Sequence, residues 1–216
     1  MLVNTNYAEG LGRGPKMIKH QELSERQKQI IDEAIKLIAK KGLHEFTTKN
    51  LAQSVGISEP AIYRHFKNKD AIMLGLIKYL NNKSQEVIDA ISFIKNKSAS
   101  ETIELKFLSM MQFFSKNNIF AKTSGNPGMF IHDKVLKDEI SKFENKLFKN
   151  DHDLVERGQK EGDIRTDLDS QYLTKIIIGM HFATIHRWII SGTNYDLLDE
   201  WANVWGIIKK MILVKK

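Results

Sequence analysis

The segment Thr47 to Asp70, TTKNLAQSVGISEPAIYRHFKNKD, constrains the fold more than any other part of the chain, because it crowds three helix-start signals together. Thr47 and Thr48 supply hydroxyls for one start. Gly56 ends that helix after two turns. Ser58, followed by Glu59 and by Pro60 in the first turn, opens the next, where the missing proline N–H costs nothing. Asn68, ahead of Lys69 and Asp70, opens a third. A helix confined between Ser58 and Asn68 is too short to be stable alone, so it must be held by neighbours. Leu51, Ala52, Val55, Ile57 and Ile62 provide the apolar side for that. Between Pro60 and Lys69 the cations Arg64, Lys67 and Lys69 meet no acid. Two short helices joined by Val55-Gly56-Ile57 have the layout of a helix-turn-helix, whose second helix enters the major groove of DNA.

The rest of the chain reads as helices as well. Ser24-x-x-Gln27 is a capping box, and Ile31, Ala34, Ile35 and Ile38 recur behind it at helical spacing until Lys40-Lys41-Gly42. The helix after Asn68 carries Ile72, Leu76, Leu80, Val87 and Ile91 and is expected to run to about residue 95. Ser98-x-x-Glu101 is a second capping box, ahead of a helix predicted over 101–120. After KTSGNPG, residues 129–161 read as one or two helices. EGDIRTDLD is a turn-rich connector, and residues 170–191 and 196–214 read as two closing helices. No period-two pattern persists. The expectation is an all-α fold of about nine helices. Residues 1–20 form a flexible tail, 21–70 a helix-turn-helix unit and 71–216 a second helical unit.

A length of 216 residues with 42% hydrophobic and 27% charged residues suits a globular protein with a substantial core. The net charge of +7 favours polyanionic partners. Absence of cysteine excludes disulfides and thiolate chemistry and fits a reducing cytoplasm. The longest apolar run, Tyr172 to Gly192, contains Lys175, His181, His186 and Arg187, which a membrane span would not carry at its middle. A cytoplasmic protein without membrane association is expected. Gly10-x-Gly12-x-Gly14 lacks the preceding strand and following helix of a nucleotide loop. There is no nucleophile elbow, P-loop or HExxH motif, so an enzyme is not expected. His181 and His186 are five apart, and His132-Asp133 and His152-Asp153 are adjacent pairs, none with helical metal-ligand spacing. No metal or other cofactor is expected.

The residues Thr48, Leu51, Ala52, Gly56, Ile57, Ser58, Tyr63, His65, Phe66, Lys69 and Ile72 resemble the helix-turn-helix pattern of the tetracycline-repressor (TetR) family of bacterial transcriptional regulators, over about residues 25–75. The resemblance implies a DNA-binding regulator, a repressor by family tendency, with a domain that binds a small molecule and forms a homodimer on a palindromic operator. The chemistry of individual positions agrees. Lys69, with backbone N–H groups at its helix start, can reach a phosphate, as can Tyr63, His65 and Thr48. Lys49 and Arg64 can read guanine O6 and N7, and Ala61 can touch a thymine methyl group. Pro60 lies on the same helix start, and Phe66 is expected to pack between helices. Glu59 either accepts from cytosine N4 or favours the helix dipole.

Phe107, Met110, Met111, Phe114, Phe120, Met129 and Phe130 form an aromatic and methionine group suited to an apolar or amphipathic effector, with His132 and Asp133 as polar groups; the same spacing also describes a plain core. Gly179 and Ala183 permit close helix approach, flanked by Ile176, Ile177, Phe182, Ile189 and Trp188. With Trp201, Trp205, Ile208 and Ile212 of the last helix, they resemble the family's dimer interface, a four-helix bundle. Burial of the same residues within one subunit is the competing reading. The functional alternative is a DNA-bound adaptor or structural protein without an effector.

Overall fold

A computed structural model describes residues 23–92, 96–124 and 133–214. Nine α-helices are present among these residues: α1 (Glu25–Lys41), α2 (Thr48–Val55), α3 (Glu59–Tyr63), α4 (Lys69–Ser92), α5 (Ala99–Lys116), α6 (Asn118–Ser124), α7 (Lys134–Glu161), α8 (Ser170–Ile190) and α9 (Leu197–Ile212), with a 3-10 turn at Leu43–Glu45. The one β-type contact among the described residues is an isolated antiparallel bridge between Ile164 and Leu213.

Local signals in the sequence set most of the helix ends. The Ser24 hydroxyl accepts from Gln27 N at 3.2 Å while Ser24 N donates to Gln27 Oε1 at 2.9 Å, so the first capping box forms. Gly42 ends α1 at φ +83° and Gly56 ends α2 at φ +73°, a backbone that residues with a Cβ rarely adopt. Thr47 caps α2 by accepting from Asn50 N at 3.0 Å. Ser58 takes the extended N-cap backbone of α3, but its side chain makes no capping bond. One expectation fails. The helix anticipated over 101–120 breaks at Asn117, where φ is −128°, and α6 starts afresh. The apolar period continues through the break and hides it.

α1 buries Ile30, Ile31, Ala34, Ile35, Leu37 and Ile38, and the same core includes Phe46, Leu51, Ala52, Ile62, Phe66, Ile72 and Leu76. In the larger part of the molecule α5 packs against α4, α7 and α9, and α8 packs against α7 and α9.

The start of α5 shows how the connector after α7 is used. Four backbone N–H groups at a helix start lack intrahelical partners. Here Glu101 Oε2 accepts from Ser98 N at 2.9 Å, Glu161 Oε2 from Ala99 N at 3.0 Å, Asp163 Oδ2 from Ser100 N at 3.0 Å and Ser98 Oγ from Glu101 N at 3.3 Å. Burial pushes the Asp163 carboxyl up, but its bonds to Ser100 and Ser98 outweigh that and hold it below the usual carboxylate range. The next residue, Ile164, is fully buried and pinned by its bridge to Leu213 and by its N–H donating to Gly158 O at 3.1 Å.

Gly158 therefore has no room for a side chain. A Cβ there would lie 2.5 Å from Ile164 Cδ1, 2.7 Å from Ile164 Cγ1 and 2.8 Å from Asp163 Oδ1. Alanine is favoured over glycine in a helix by about 1 kcal/mol, but overpacking costs about 1–3 kcal/mol. The substitution Gly158→Ala is expected to lower the thermal midpoint by several degrees; a raised midpoint would show that the connector yields easily.

Candidate nucleic-acid interface and internal cavity

α3 has only five residues, and what holds it comes from its neighbours. Ile62 is fully buried and Phe66 is buried, so one side of the helix is fixed in the core. Gln27 Nε2 on α1 donates to the His65 carbonyl at 2.9 Å, tying down the turn after α3. Asn68 Oδ1 accepts from Ala71 N at 2.8 Å and starts α4 immediately beyond.

The opposite side faces outward. Lys49, Pro60, Tyr63, Arg64, Lys67 and Lys69 are exposed, and Thr48, Ala61 and His65 are half-buried. Thus all eight residues singled out from the sequence for DNA contact lie on or beside α3 with some surface accessible. The Lys69 ammonium stands 5.4 Å from the centre of the Phe46 ring. Among the described residues, Lys49, Arg64, Lys67 and Lys69 have no acidic partner. Four uncompensated cations around an exposed short helix form the electrostatic footprint expected of a phosphate-binding surface.

Glu59 has a role that the sequence did not disclose. Thr48 Oγ1 donates to the Glu59 carboxylate, and Tyr63 OH donates to Thr48 Oγ1 at 3.3 Å. Both hydroxyls assigned to phosphate are thus already joined to a carboxylate at the start of α3. The network links α2 to both ends of α3, and it fixes the relative position of the Thr48 and Tyr63 side chains.

A cavity of about 420 Å³ lies between α4, α5, α7 and α8. Its walls are mostly apolar, with Leu80, Ile88, Met110, Phe143, Phe148 and Ile185 prominent. Phe107, Met110 and Phe114 line it as the sequence suggested. Met111 does not: it is fully buried in the core on another side of α5. Met129, Phe130 and His132 lie outside the described residues. Asp133 caps α7 by accepting from Leu136 N at 2.9 Å and does not line the cavity.

Missed from the sequence is the polar part of this cavity. Lys106 and Asp151, each only 5% exposed, form an ion pair in its wall. Burial pushes the Asp151 carboxyl up, and the neighbouring ammonium opposes this. His181, weighed from the sequence only as a metal ligand, is a buried wall residue whose Nε2 has no hydrogen-bond partner. Burial first, then the Lys106 charge, lower its pKa to about 3, so the ring is neutral. A signal existed: each residue occupies an apolar stripe, Lys106 beside Ile103, Met110 and Phe114, and His181 midway between Ile177 and Ile185.

The dimer residues divide. Ile176, Gly179 and Ala183 point outward on α8, beside exposed Tyr172, Met180, Phe182 and Ile190. Exposed Ile207, Met211 and Val214 lie on α9 and just after it. Trp188, Trp201, Trp205 and Ile208 correct the expectation: at 1–4% exposure they are core side chains of the subunit. The Trp201 and Trp205 rings stack on each other at 5.8 Å, and Trp188 Nε1 donates to the Tyr195 carbonyl at 3.0 Å. His152, Asp153 and Glu156 bring one ligand atom each within 4.8 Å of the others at the surface of α7, but His152 Nε2 already sits 2.9 Å from Ser170 Oγ.

Comparison with known proteins bears on both regions. The family model described as "Bacterial regulatory proteins, tetR family" matches residues 30–76, and the model described as "YsiA-like protein, C-terminal region" matches residues 82–211. The nucleoid occlusion factor SlmA of Actinobacillus pleuropneumoniae is 25% identical over 193 residues, covering 88% of this chain and 94% of that protein. The fatty acid metabolism regulator protein of Bacillus subtilis is 26% identical over 178 residues, covering 79% and 87%. Among solved structures, FadR from Bacillus subtilis in complex with stearoyl-CoA aligns with a TM-score of 0.72 at 21% identity, covering 84% of this chain and 96% of that one. The ketosteroid regulator KstR2 of Mycobacterium tuberculosis aligns with a TM-score of 0.73 at 16% identity, covering 90% and 98%. The helix-turn-helix with its unpaired cations and the matched models, one of which spans more than half of the chain, lead to one conclusion: this protein belongs to the TetR family of bacterial regulatory proteins.

Proposed function

We propose that this protein is a ligand-responsive transcriptional repressor that acts in the cytoplasm as a homodimer on a palindromic operator. In this reading residues 21–70 bind DNA, and residues 71–216 bind the effector and dimerise. The observation that carries it is the exposed face of α3 and the start of α4, with the cations Lys49, Arg64, Lys67 and Lys69 free of acidic partners among the described residues. Lys69 and His65 hold phosphates, and Tyr63 and Thr48 do so by turning their hydroxyls away from the link to Glu59; Lys49, Arg64 and Ala61 meet base edges beside Pro60.

Coupling to an effector runs along α4. This helix of 24 residues spans about 36 Å at 1.5 Å per residue. Lys69 starts it at the DNA face, while Ile77, Leu80, Ser84 and Ile88 form one wall of the cavity. A ligand that fits the cavity better with α4 tilted away from its DNA-bound position lowers operator affinity by its difference in affinity for the two positions. The cavity volume falls within the range of about 300–1,000 Å³ common to small-molecule sites. Because FadR from Bacillus subtilis shares this fold and is bound to stearoyl-CoA, and the fatty acid metabolism regulator protein of the same organism is related in sequence, the effector assigned to this chain is a molecule with a long apolar chain.

The second reading is a DNA-bound adaptor without an effector. It is favoured by the match to the nucleoid occlusion factor SlmA over 88% of the chain. It leaves the cavity and its buried ion pair without a task.

Dimerisation is assigned to the outward faces of α8 and α9. An exposed apolar patch built from Ile176, Met180, Phe182, Ile190, Ile207 and Met211 marks an association surface. Gly179 has nothing within 4 Å of where a Cβ would stand, so a side chain there does not disturb the subunit. Gly179→Arg is expected to give a folded monomer in analytical ultracentrifugation, with operator affinity reduced by about 10²-fold or more through loss of bivalency. A dimer of unchanged stability would move the interface elsewhere.

Operator DNA selected from a randomised library tests the DNA reading. Lys69→Ala is expected to weaken binding to all sequences and to reduce the slope of log affinity against log salt by about one per subunit. Arg64→Ala is expected to cost about 1–3 kcal/mol and to relax preference at one base position. No enrichment from the library would remove the repressor reading.

A further inference from the structure

The polar wall of the cavity specifies one kind of head group, an inference that rests on the effector reading above. A buried lysine ammonium carries three N–H donors. Among the described residues the Lys106 ammonium meets one acceptor, Asp151 Oδ1, and stands 5.3 Å from the centre of the Phe107 ring. Two donors remain without a protein acceptor. On the same ring, at 4.9 Å between centres, lies His181, a neutral imidazole with an unpartnered Nε2. A buried donor without an acceptor is costly, so these groups favour an oxygen brought by a ligand.

The charge balance narrows the choice. Lys106 and Asp151 already neutralise each other, and both are almost wholly removed from solvent; the third charged group of the lining, Glu144, is an exposed carboxylate. A carboxylate head would place a second negative charge against one ammonium and would compete with Asp151, leaving one anion short of a partner. An amine head at the buried end would place a second cation beside Lys106, and the exposed Glu144 carboxylate offers it no partner in that buried position. An uncharged carbonyl adds no charge and offers two lone pairs, and its oxygen needs no acceptor in return.

We infer that the effector presents an uncharged carbonyl oxygen, as in a ketone, ester or thioester, to Lys106 and His181, with its apolar chain along Leu80, Met110, Phe143 and Ile185. In the tautomer protonated at Nε2, His181 donates to this oxygen. The inference separates the native effector from the free acid of the same chain length.

Three probes of matched chain test it on the full-length protein at pH 7.5: 2-nonanone, nonanoate and nonane. Binding is read by calorimetry and by tryptophan fluorescence, since the buried Trp201 ring lies 5.5 Å from His181 and 6.0 Å from Phe107. The ketone is expected to bind at least about tenfold more tightly than either of the others, as one or two bonds to a charged donor imply. In the double variant Lys106→Met with Asp151→Leu, which removes both charges together, the ketone is expected to lose its advantage over nonane while nonane binding persists. Should that variant fail to fold, His181→Phe is expected to narrow the same advantage. Nonanoate binding as tightly as the ketone, nonane doing so, or an advantage that survives the substitutions would overturn the head-group inference alone. Failure of all three probes to bind would overturn the effector reading with it.

Discussion

A five-residue helix cannot support itself, and the function of this protein depends on how α3 is held. Hydrogen bonding within α3 contributes little, because its nucleation cost is scarcely recovered over so few residues. Burial of Ile62 and Phe66 in the core with Ile30, Ile31 and Leu51 supplies the driving force. The Gln27 bond to the His65 carbonyl and the link from Tyr63 through Thr48 to Glu59 then fix its direction. Since only one side of α3 is used in packing, the other remains available with its cations.

α4 connects this surface to the rest of the molecule. Its first residues belong to the exposed basic surface around α3, and its middle is part of the cavity wall. Tyr79 faces α1: burial first, and then the Asp32 carboxylate, push its hydroxyl up to about 12, so it stays protonated. A rod packed at both ends transmits a displacement because dense packing leaves it few intermediate positions. The Lys106–Asp151 pair sits beside the same cavity. A buried pair of this kind contributes little net stability compared with apolar residues of similar volume, which makes its presence more understandable as recognition than as support.

How far the sequence could be read depended on the range of each interaction. Capping boxes at Ser24 and Ser98, the left-handed glycines Gly42 and Gly56, and the apolar stripe of α1 are signals that act within a few residues, and the structure shows each of them. The break at Asn117 went unseen because the apolar period runs through it. α8 was ambiguous for another reason. It is apolar on both sides, with Leu173, Ile177, Ile185 and Trp188 inward and Ile176, Met180 and Ile190 outward. A period alone does not state which side meets its own subunit, and the expectation of an outward Trp188 fails for that reason.

By itself, the sequence determined the helical class, the ends of most helices and the place of the short exposed helix of the helix-turn-helix, because caps, turns and the 3.6-residue period are local properties of the chain. Only the tertiary structure decided which apolar faces were consumed inside the subunit and that Glu59 would engage Thr48 and Tyr63. It also decided that Lys106, Asp151 and His181, distant along the chain, would meet at one cavity. These are contacts between helices, and their geometry is set by how whole faces pack, which no local spacing records.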